Sequence, residues 1–214
     1  MNRVIYHLLL MASLLMVSAS CSGSKKTSSQ APADVPQNDS QAIEKNGKVL
    51  IVFFSHTGEN YAVGNIKVGN TKLVADEIQR ATGGDQFEIV PERSYQMPYK
   101  ELTELAKRES NNNERPAIKG KVEHLGQYQT IFIGGPIWWG TYPQVMFTFF
   151  DAHDLNGKTI IPFTTHEGSG LGSTVADLQE IYPNATIRDA RAFTGHSVRT
   201  SMDEVKHWLK ELGY

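Results

Sequence analysis

Two short segments of the sequence carry the residue types that hold a phosphate group. The first reads Ser55-His56-Thr57-Gly58-Glu59-Asn60, and the second reads Gly69-Asn70-Thr71. Hydroxyl groups and backbone amides beside a helix N-terminus favour an anion, because those amides lack helical partners and the helix dipole is positive there. Neither segment has the Gly-Lys-Ser/Thr ending of an ATP-binding loop. The pattern therefore predicts a small phosphomonoester held by uncharged donors; the alternative is that Asn70 or Thr71 only caps a helix.

A third segment contains aromatic side chains that could hold a flat ring. It reads Gly134-Gly135-Pro136-Ile137-Trp138-Trp139-Gly140-Thr141-Tyr142-Pro143. A glycine-bounded loop after a strand is a poor place to bury two indoles in a sheet core. We therefore expect Trp138 or Trp139 to stack on a ligand, with core packing as the alternative. The sequence does not distinguish the two indoles.

A fourth segment, residues 164–172, combines hydroxyl groups, glycines and a histidine. Its Gly-x-Gly run is similar to part of a dinucleotide fingerprint. That fingerprint follows the first strand of a domain, so the run is only weak evidence for NAD. We interpret His166 in this segment either as a donor to a reduced cofactor or substrate, or as an exposed histidine without a role.

The elements that must position these segments alternate between strands and helices. Apolar runs predict strands over 49–54, 87–90, 130–133, 158–163 and 186–193, and helical periodicity predicts helices over 71–81, 98–109, 143–150, 173–182 and 202–212. Strict alternation predicts an α/β fold with a parallel sheet covered by helices on both faces. Ligands bind such sheets beyond the carboxyl ends of the strands. The loops after strands one, three and four are therefore the expected binding site.

These loops, in this order, resemble those of the flavodoxin family. The phosphate loop of that family has the pattern Ser/Thr-x-Thr-Gly-Asn-Thr. Residues 55–58 match its first half and residues 70–71 its second half, with residues 59–69 as an insertion between them. The resemblance covers residues 48–214. It implies a flavodoxin-like doubly wound sandwich, with a five-stranded parallel sheet in the order 2-1-3-4-5, and FMN as the cofactor.

The resemblance also implies which residues contact FMN. One indole would stack on the flavin ring, and Gly140 would turn its carbonyl toward the flavin N5. The hydroxyls of Thr165 and Ser169 would face the uracil-like edge, and because no second stacking tyrosine is present there, one flavin face is expected to be open. The implied cofactor-binding residues are Ser55, Thr57, Gly58, Asn70, Thr71, Pro136, Ile137, Trp138, Trp139, Gly140, Thr165, His166, Gly168 and Ser169. No catalytic residue and no metal ligand is predicted.

The N-terminal residues have the features of an exported lipoprotein. Arg3 precedes an apolar run over residues 4–17, and small residues at 18–20 lead to Cys21. This order resembles a signal peptide followed by the lipobox of bacterial lipoproteins, which implies lipidation of Cys21 and a place in the bacterial cell envelope. A plain signal peptide or an uncleaved membrane anchor is the alternative. The predicted organisation is a signal peptide over 1–20, the lipidated cysteine with a flexible polar tether over 21–47, and one folded domain over 48–214.

Composition and charge exclude several other classes. The chain has 21 Lys+Arg, 23 Asp+Glu and a formal net charge of −2, so nucleic acid is not an expected partner. Its single cysteine cannot form an internal disulfide or a zinc ribbon. Together with these exclusions, the resemblance to the flavodoxin family implies an FMN-binding electron-transfer protein that exchanges electrons with a redox partner protein or a small quinone. The alternatives are an FMN-dependent NAD(P)H or quinone oxidoreductase, and a flavin-free surface binding module on the same fold.

Overall fold

The computed structural model describes residues 47–214. The predicted signal peptide, the predicted lipidation of Cys21 and the tether up to residue 46 lie outside the described residues. The strands are β1 (Lys48–Phe53), β2 (Gly58–Asn60), β3 (Gly64–Ile66), β4 (Asp85–Glu88), β5 (Val90–Pro91), β6 (Ile118–Lys119), β7 (Tyr128–Pro136), β8 (Thr159–His166), β9 (Thr186–Ile187) and β10 (Arg191–Thr194). The α-helices are α1 (Asn70–Thr82), α2 (Tyr99–Asn111), α3 (Gln144–Ala152), α4 (Thr174–Ile181), α5 (Gly195–Thr200) and α6 (Asp203–Glu211).

The central sheet is parallel and has the order β10-β8-β7-β1-β4, with the short β9 also paired to β8. Residues 50–53 of β1 are at most 2% exposed, because this apolar run is covered on both faces. Numbered by their order in the chain, the five main strands follow the arrangement 2-1-3-4-5. This confirms the predicted α/β, flavodoxin-like fold.

Helices cover both faces of the sheet and enclose two apolar cores. Leu50 and Val52 of β1 belong to the core formed with α2, α3 and α4, whereas Ile51 and Phe53 belong to the core formed with α1 and α6. This alternation follows from the strand geometry, in which successive side chains point to opposite faces. Within the part of the chain that the structure describes, no helix combines the length and hydrophobicity needed to cross a membrane.

The third strand is longer than predicted. Gly134 and Gly135, which the sequence indicated as its stop, lie inside β7. A Cβ atom at Gly134 would lie 1.9 Å from Cζ of Phe163 on the neighbouring strand. The glycine is therefore required by close packing and does not end the strand.

The fourth strand also runs past its predicted end at residue 163. It continues to His166, so Thr164, Thr165 and His166 belong to β8 and not to a loop. The fifth strand is divided into β9 and β10, because Asp189 between them adopts a left-handed backbone with φ of 52°. The second strand, β4, lies two residues earlier than predicted, and the short helix α5 was not predicted at all.

Candidate functional site

A cavity of about 470 Å³ lies at the carboxyl edge of the sheet, beyond β1, β7 and β8. Its walls come from the β2–β3 hairpin, the start of α1, one face of α2 and the segments after β7 and β8. The lining residues are His56, Glu59, Asn60, Tyr61, Val63, Asn70, Thr71, Tyr99, Leu102, Thr103, Ala106, Pro136, Ile137, Trp138, Trp139, Thr165, His166, Glu167 and Ser169. The volume falls within the range of about 300–1,000 Å³ typical of small-molecule sites.

The two halves of the interrupted phosphate motif meet at the start of α1. A Cβ atom on Gly69, the N-cap of α1, would lie 2.2 Å from Oγ of Ser55 and 2.5 Å from the backbone oxygen of His56. Gly69 has no side chain to cap the helix, and Ser55 Oγ accepts the backbone N–H of Lys72 at 3.0 Å instead. Neither Asn70 nor Thr71 is therefore the cap. The insertion of residues 59–69 therefore does not separate the two halves of the motif in space.

Asn70 and Thr71, the first residues of α1, are held by long-range hydrogen bonds. Thr71 Oγ1 lies 2.8 Å from Oγ1 of Thr165, and both residues are buried. Oδ1 of Asn70 accepts a hydrogen bond of 2.9 Å from Arg199 of α5. These contacts fix the hydroxyl and amide groups beside the N-terminus of α1, where an anion is favoured. We call the part of the cavity formed by His56, Asn70, Thr71 and Thr165 the α1 side.

The insertion folds as the β2–β3 hairpin and joins α2 rather than extending into solvent. Glu59 accepts the backbone N–H of Tyr99 through Oε2 at 2.7 Å, which satisfies the first amide of α2. At the hairpin turn, the ring of Tyr61 stacks on the ring of Tyr99 with a centroid distance of 6.3 Å. The hairpin therefore forms one wall of the cavity and closes it against α2.

The two tryptophans lie in a tight turn and have different environments. Trp138 and Thr141 pair across a two-residue turn in which Trp139 and Gly140 both have positive φ, as in type I′ turns. Trp138 is half-buried and makes edge-to-face contacts with Phe54 and Tyr95, at 5.5 Å each. It is therefore part of the core as well as part of the cavity wall.

Trp139 is the exposed member of the pair, with 54% of its surface accessible. Its Nε1 donates to the backbone oxygen of Thr103 at 3.1 Å, and Nζ of Lys107 lies 5.0 Å from the ring centroid. A bulky residue with φ of 52° is an uncommon, strained conformation, and such outliers occur at functional sites. We call Trp138, Trp139 and the facing residues of α2 the α2 side of the cavity.

Gly140 does not line the cavity. Its carbonyl oxygen accepts the backbone N–H of Ser173 at 2.8 Å, just before α4. A Cβ atom on Gly172 would lie 2.1 Å from the same oxygen, so the two segments are in close contact. To turn toward a ligand, the Gly140 carbonyl would first have to lose its hydrogen bond with Ser173.

The end of β8 forms the remaining wall. His166 Nδ1 accepts the backbone N–H of Gly168 at 2.8 Å, and burial lowers the pKa of His166, partly opposed by Glu167 and Glu204. The carboxylate of Glu167 accepts a hydrogen bond of 2.8 Å from the backbone N–H of His196 in α5, and a second of 2.7 Å from Nδ1 of the same residue. Nδ1 of His166 and the carboxylate of Glu167 are thus already paired within the protein.

His56 differs from these groups because it is buried and incompletely paired. The side chain is 5% exposed, and Nε2 is the one buried side-chain nitrogen or oxygen without a hydrogen-bond partner among residues 47–214. Burial lowers its pKa, and a hydrogen bond with the backbone of Glu59 opposes this shift. Its ring lies edge-on to Trp138 at 5.8 Å. An unpaired buried polar atom needs an explanation, and because His56 lines the cavity, a contact with a ligand would provide one.

The structure brings most of the predicted site residues together. Those that line the main cavity are Asn70, Thr71, Pro136, Ile137, Trp138, Trp139, Thr165, His166 and Ser169. Ser55 and Thr57 line a smaller neighbouring cavity of about 210 Å³. Gly58, Gly140 and Gly168 line neither of these two cavities.

Several lining residues were not found from the sequence. They lie mainly in the hairpin and on α2, and His56 and Glu167 complete the set. The position of the insertion inside a binding motif is a signal that could have indicated the hairpin. No comparable signal identifies the cavity-facing residues of α2, because which helix face meets the tryptophan turn depends on tertiary packing.

The donor set fits a ligand that has both a phosphate group and a flat ring. Hydroxyl groups beside a helix N-terminus form one side of the cavity, and indole and phenol rings form the other. Among residues 47–214, no group of three or more His, Cys, Asp or Glu side chains is arranged to hold a metal ion.

Comparison with known proteins places this site in context. The family model described as Flavodoxin matches residues 48–212. A candidate flavoprotein of Bacteroides uniformis is 32% identical, with a TM-score of 0.63 over 77% of this chain and 98% of that chain. One from Bacteroides eggerthii is also 32% identical, with a TM-score of 0.58 over 75% and 99% of the respective chains.

A more distant structure is the flavoprotein of Lactobacillus acidophilus, solved in complex with FMN. It is 21% identical, with a TM-score of 0.53 over 76% of this chain and 98% of that chain, and so shares the fold. No curated protein matches the chain.

Proposed function

The chain belongs to the flavodoxin family, and from this premise we propose that it binds FMN non-covalently and transfers electrons. The observation that carries the proposal is a single cavity that joins the N-terminus of α1 to two indole rings. The related Lactobacillus acidophilus structure holds FMN, which supports the same ligand here.

Residues on the two sides of the cavity would bind different parts of FMN. Asn70, Thr71 and the free amides at the start of α1 would hold the phosphate group, since they offer uncharged donors at the positive end of a helix. Trp138 and Trp139 would pack against the isoalloxazine and exclude water from it. FMN itself supplies the redox chemistry when bound, and the protein contributes position and electrostatics.

Absorbance and fluorescence test this function directly. Full-length protein purified by gentle lysis is expected to carry flavin absorbance in the visible range or to acquire it when FMN is added. Titration with FMN is expected to quench indole fluorescence in a saturable way. Colourless protein that shows neither change would contradict the proposal and favour the flavin-free binding module.

A second candidate function, oxidation of NAD(P)H or reduction of a quinone, is favoured by the aromatic mouth of the cavity. Tyr61, Tyr99 and Trp139 are 64%, 39% and 54% exposed, although large apolar side chains are normally more buried. A planar substrate could enter between them and reach one face of the flavin. Steady-state oxidation of NADH or NADPH with a quinone acceptor separates this enzyme from a carrier that reacts only with a protein partner.

We also propose that the chain is exported and anchored by lipid at Cys21. The support is the order of basic, apolar and small residues before that cysteine. Two or more acyl chains would anchor the protein stably, because each buried methylene contributes about 0.8 kcal/mol. Wild-type protein is expected in the membrane fraction with an acylated N-terminus, and Cys21→Ser is expected to abolish the acylation. An unacylated wild-type protein would contradict the anchor.

A further inference from the structure

The cavity that would receive a phosphate group has an unusual balance of charge. Among the described residues, no lysine or arginine lines it, whereas the two carboxylates of Glu59 and Glu167 do. A phosphomonoester carries about −1.5 to −2 charges at pH 7. The lining side chains that can become positive are His56 and His166.

His56 is the better placed of these two histidines. His166 Nδ1 already accepts the backbone N–H of Gly168, so a second proton on that ring would displace this bond. In His56, Nε2 is buried and has no hydrogen-bond partner. The nearby backbone of Glu59 favours the protonated ring and so partly opposes the lowering of its pKa by burial.

Since Nε2 has no partner, a neutral ring that carries its proton on Nδ1 leaves a lone pair on Nε2. A lone pair beside a phosphate oxygen is repulsive, but a protonated Nε2 would donate a charge-assisted hydrogen bond to it. The backbone of His56 lies against Gly69, at the N-cap of α1, and His56 lines the same cavity as Asn70 and Thr71 at the start of that helix, where an anion is favoured.

Several other ionisable groups line the cavity or contact its walls. They are Glu59 and Tyr61 of the hairpin, Lys72 of α1, Tyr95, Tyr99 of α2, His166 and Glu167 at the end of β8, and Arg199 of α5. Glu59 accepts from the backbone of Tyr99, Glu167 accepts from His196, and Arg199 donates to Asn70 and to the backbone of Val68. None of these contacts supplies Nε2 of His56 with a partner.

We propose that His56 takes up a proton from solvent as the phosphate group of the ligand binds, and that Nε2–H then donates to a phosphate oxygen. The proposal rests on the proposed FMN function. It deepens that function by naming a residue that recognises the phosphate group and by making the affinity depend on pH.

The direction of the pH dependence follows from the order of the two pKa values. Burial lowers the pKa of His56 in the ligand-free protein, and a bound anion would raise it. Between the two values, binding consumes a proton, so the affinity for FMN weakens as the pH rises. In total, Kd changes about tenfold across this window when the two pKa values differ by about one pH unit.

FMN titrations of the full-length protein from pH 5.5 to 8.5 test this proposal, with His56→Gln and His166→Gln as matched variants. Glutamine retains an Nε2 donor but cannot take up a proton. Wild type and His166→Gln are expected to bind FMN more weakly as the pH rises. In His56→Gln this dependence is expected to flatten, with affinity about tenfold below wild type at low pH and close to it at high pH.

Riboflavin, which lacks the phosphate group, separates this effect from binding of the ring. Calorimetry in buffers of different ionisation enthalpy is expected to show proton uptake with FMN near pH 7.5, and none with riboflavin. An equal pH slope in wild type and His56→Gln, or a slope lost only in His166→Gln, would overturn the proposal while leaving FMN binding established. A protein that binds no FMN at any pH would overturn both.

Titration of the wild-type imidazole by NMR covers the case in which His56→Gln fails to fold. The midpoint of the titration curve followed by the Cε1–H signal of His56 is expected to rise by about one pH unit when FMN is present, and to stay unchanged with riboflavin. An unchanged midpoint would refute the role of His56 without any variant.

Discussion

The two sides of the cavity are built in different ways. On the α1 side, the backbone of Gly69 presses against Ser55, and the buried hydroxyls of Thr71 and Thr165 bond to each other. On the α2 side, Trp139 is exposed in a strained turn and the hairpin meets α2 through surface contacts. One side is fixed by backbone packing, and the other presents aromatic surface to solvent.

This difference indicates a division between recognition and access. A phosphate group needs donors at fixed positions, and close backbone contacts supply them at little further entropic cost. A ring that must exchange electrons needs an edge or face that a partner can reach. The α1 side therefore suits the constant part of the ligand, and the α2 side suits the part that reacts.

The largest expected effect is a difference in the free energy of unfolding between alanine variants of the two tryptophans. Trp138→Ala should lower the free energy of unfolding by about 3 kcal/mol, because it removes a ring packed against Phe54 and Tyr95. Trp139→Ala should change it by less than about 1 kcal/mol, since that ring is largely exposed. Urea denaturation of ligand-free protein measures both. Equal losses would contradict the distinction between the two indoles.

Gly69→Ala tests the rigidity of the α1 side. The added methyl group would lie 2.5 Å from the backbone oxygen of His56, and overpacking of this kind typically costs about 1–3 kcal/mol. We expect a loss of stability of about 2 kcal/mol and FMN binding weakened about tenfold or more, because the two halves of the motif must separate. Gly126→Ala is the matched control, since its Cβ would meet no atom within 4 Å. Equal behaviour of the two variants would argue against a tightly packed motif.

Thr71→Val sharpens the same comparison at a single hydroxyl. It leaves the buried hydroxyl of Thr165 without its partner, which should cost about 1–2 kcal/mol of unfolding free energy. The double variant with Thr165→Val should recover part of that loss, because neither unpaired hydroxyl then remains. Both the single and the double variant are expected to bind FMN more weakly than wild type. Normal affinity in the double variant would mean that neither hydroxyl contacts the ligand.

The smallest effect concerns the ligand-free protein in mild acid. The pKa of His56 is lower in the folded protein than the unfolded value of 6.5. Below about pH 6.5 the unfolded chain therefore binds more protons, and stability falls as the pH is lowered. Above that pH the ring is neutral in both states and contributes no pH dependence. His56→Gln should reduce this slope in thermal unfolding scans, whereas His207→Gln on the exposed face of α6 should retain it.

Apolar periodicity predicted most elements because it is a local property, whereas the sheet order came from the resemblance to the flavodoxin family. The strand ends were misplaced where a tertiary contact determines the outcome. Gly134 has the residue type of a stop, but it lies within β7 because Phe163 occupies the space that a side chain would need. The same residue type limits a strand at one position and permits close packing at another.

The candidate site was predicted in part for a similar reason. Residues after the strand ends were found, since the topology places them at one edge of the sheet. Tyr99 and Thr103 were missed, because their position beside the tryptophans depends on how α2 packs. His56 was passed over because neither its burial nor its unpaired nitrogen can be inferred from neighbouring residues in the chain.

The central claim is that one ligand contacts both sides of the cavity at once. Amide and indole N–H chemical shifts of the full-length protein, recorded with FMN and with riboflavin, test this most directly. With FMN, we predict shifts of the Asn70 and Thr71 amides together with the Trp138 and Trp139 indoles; riboflavin should move the indoles while leaving the two amides nearly unchanged. Shifts confined to one side with FMN, or none at all, would contradict the claim.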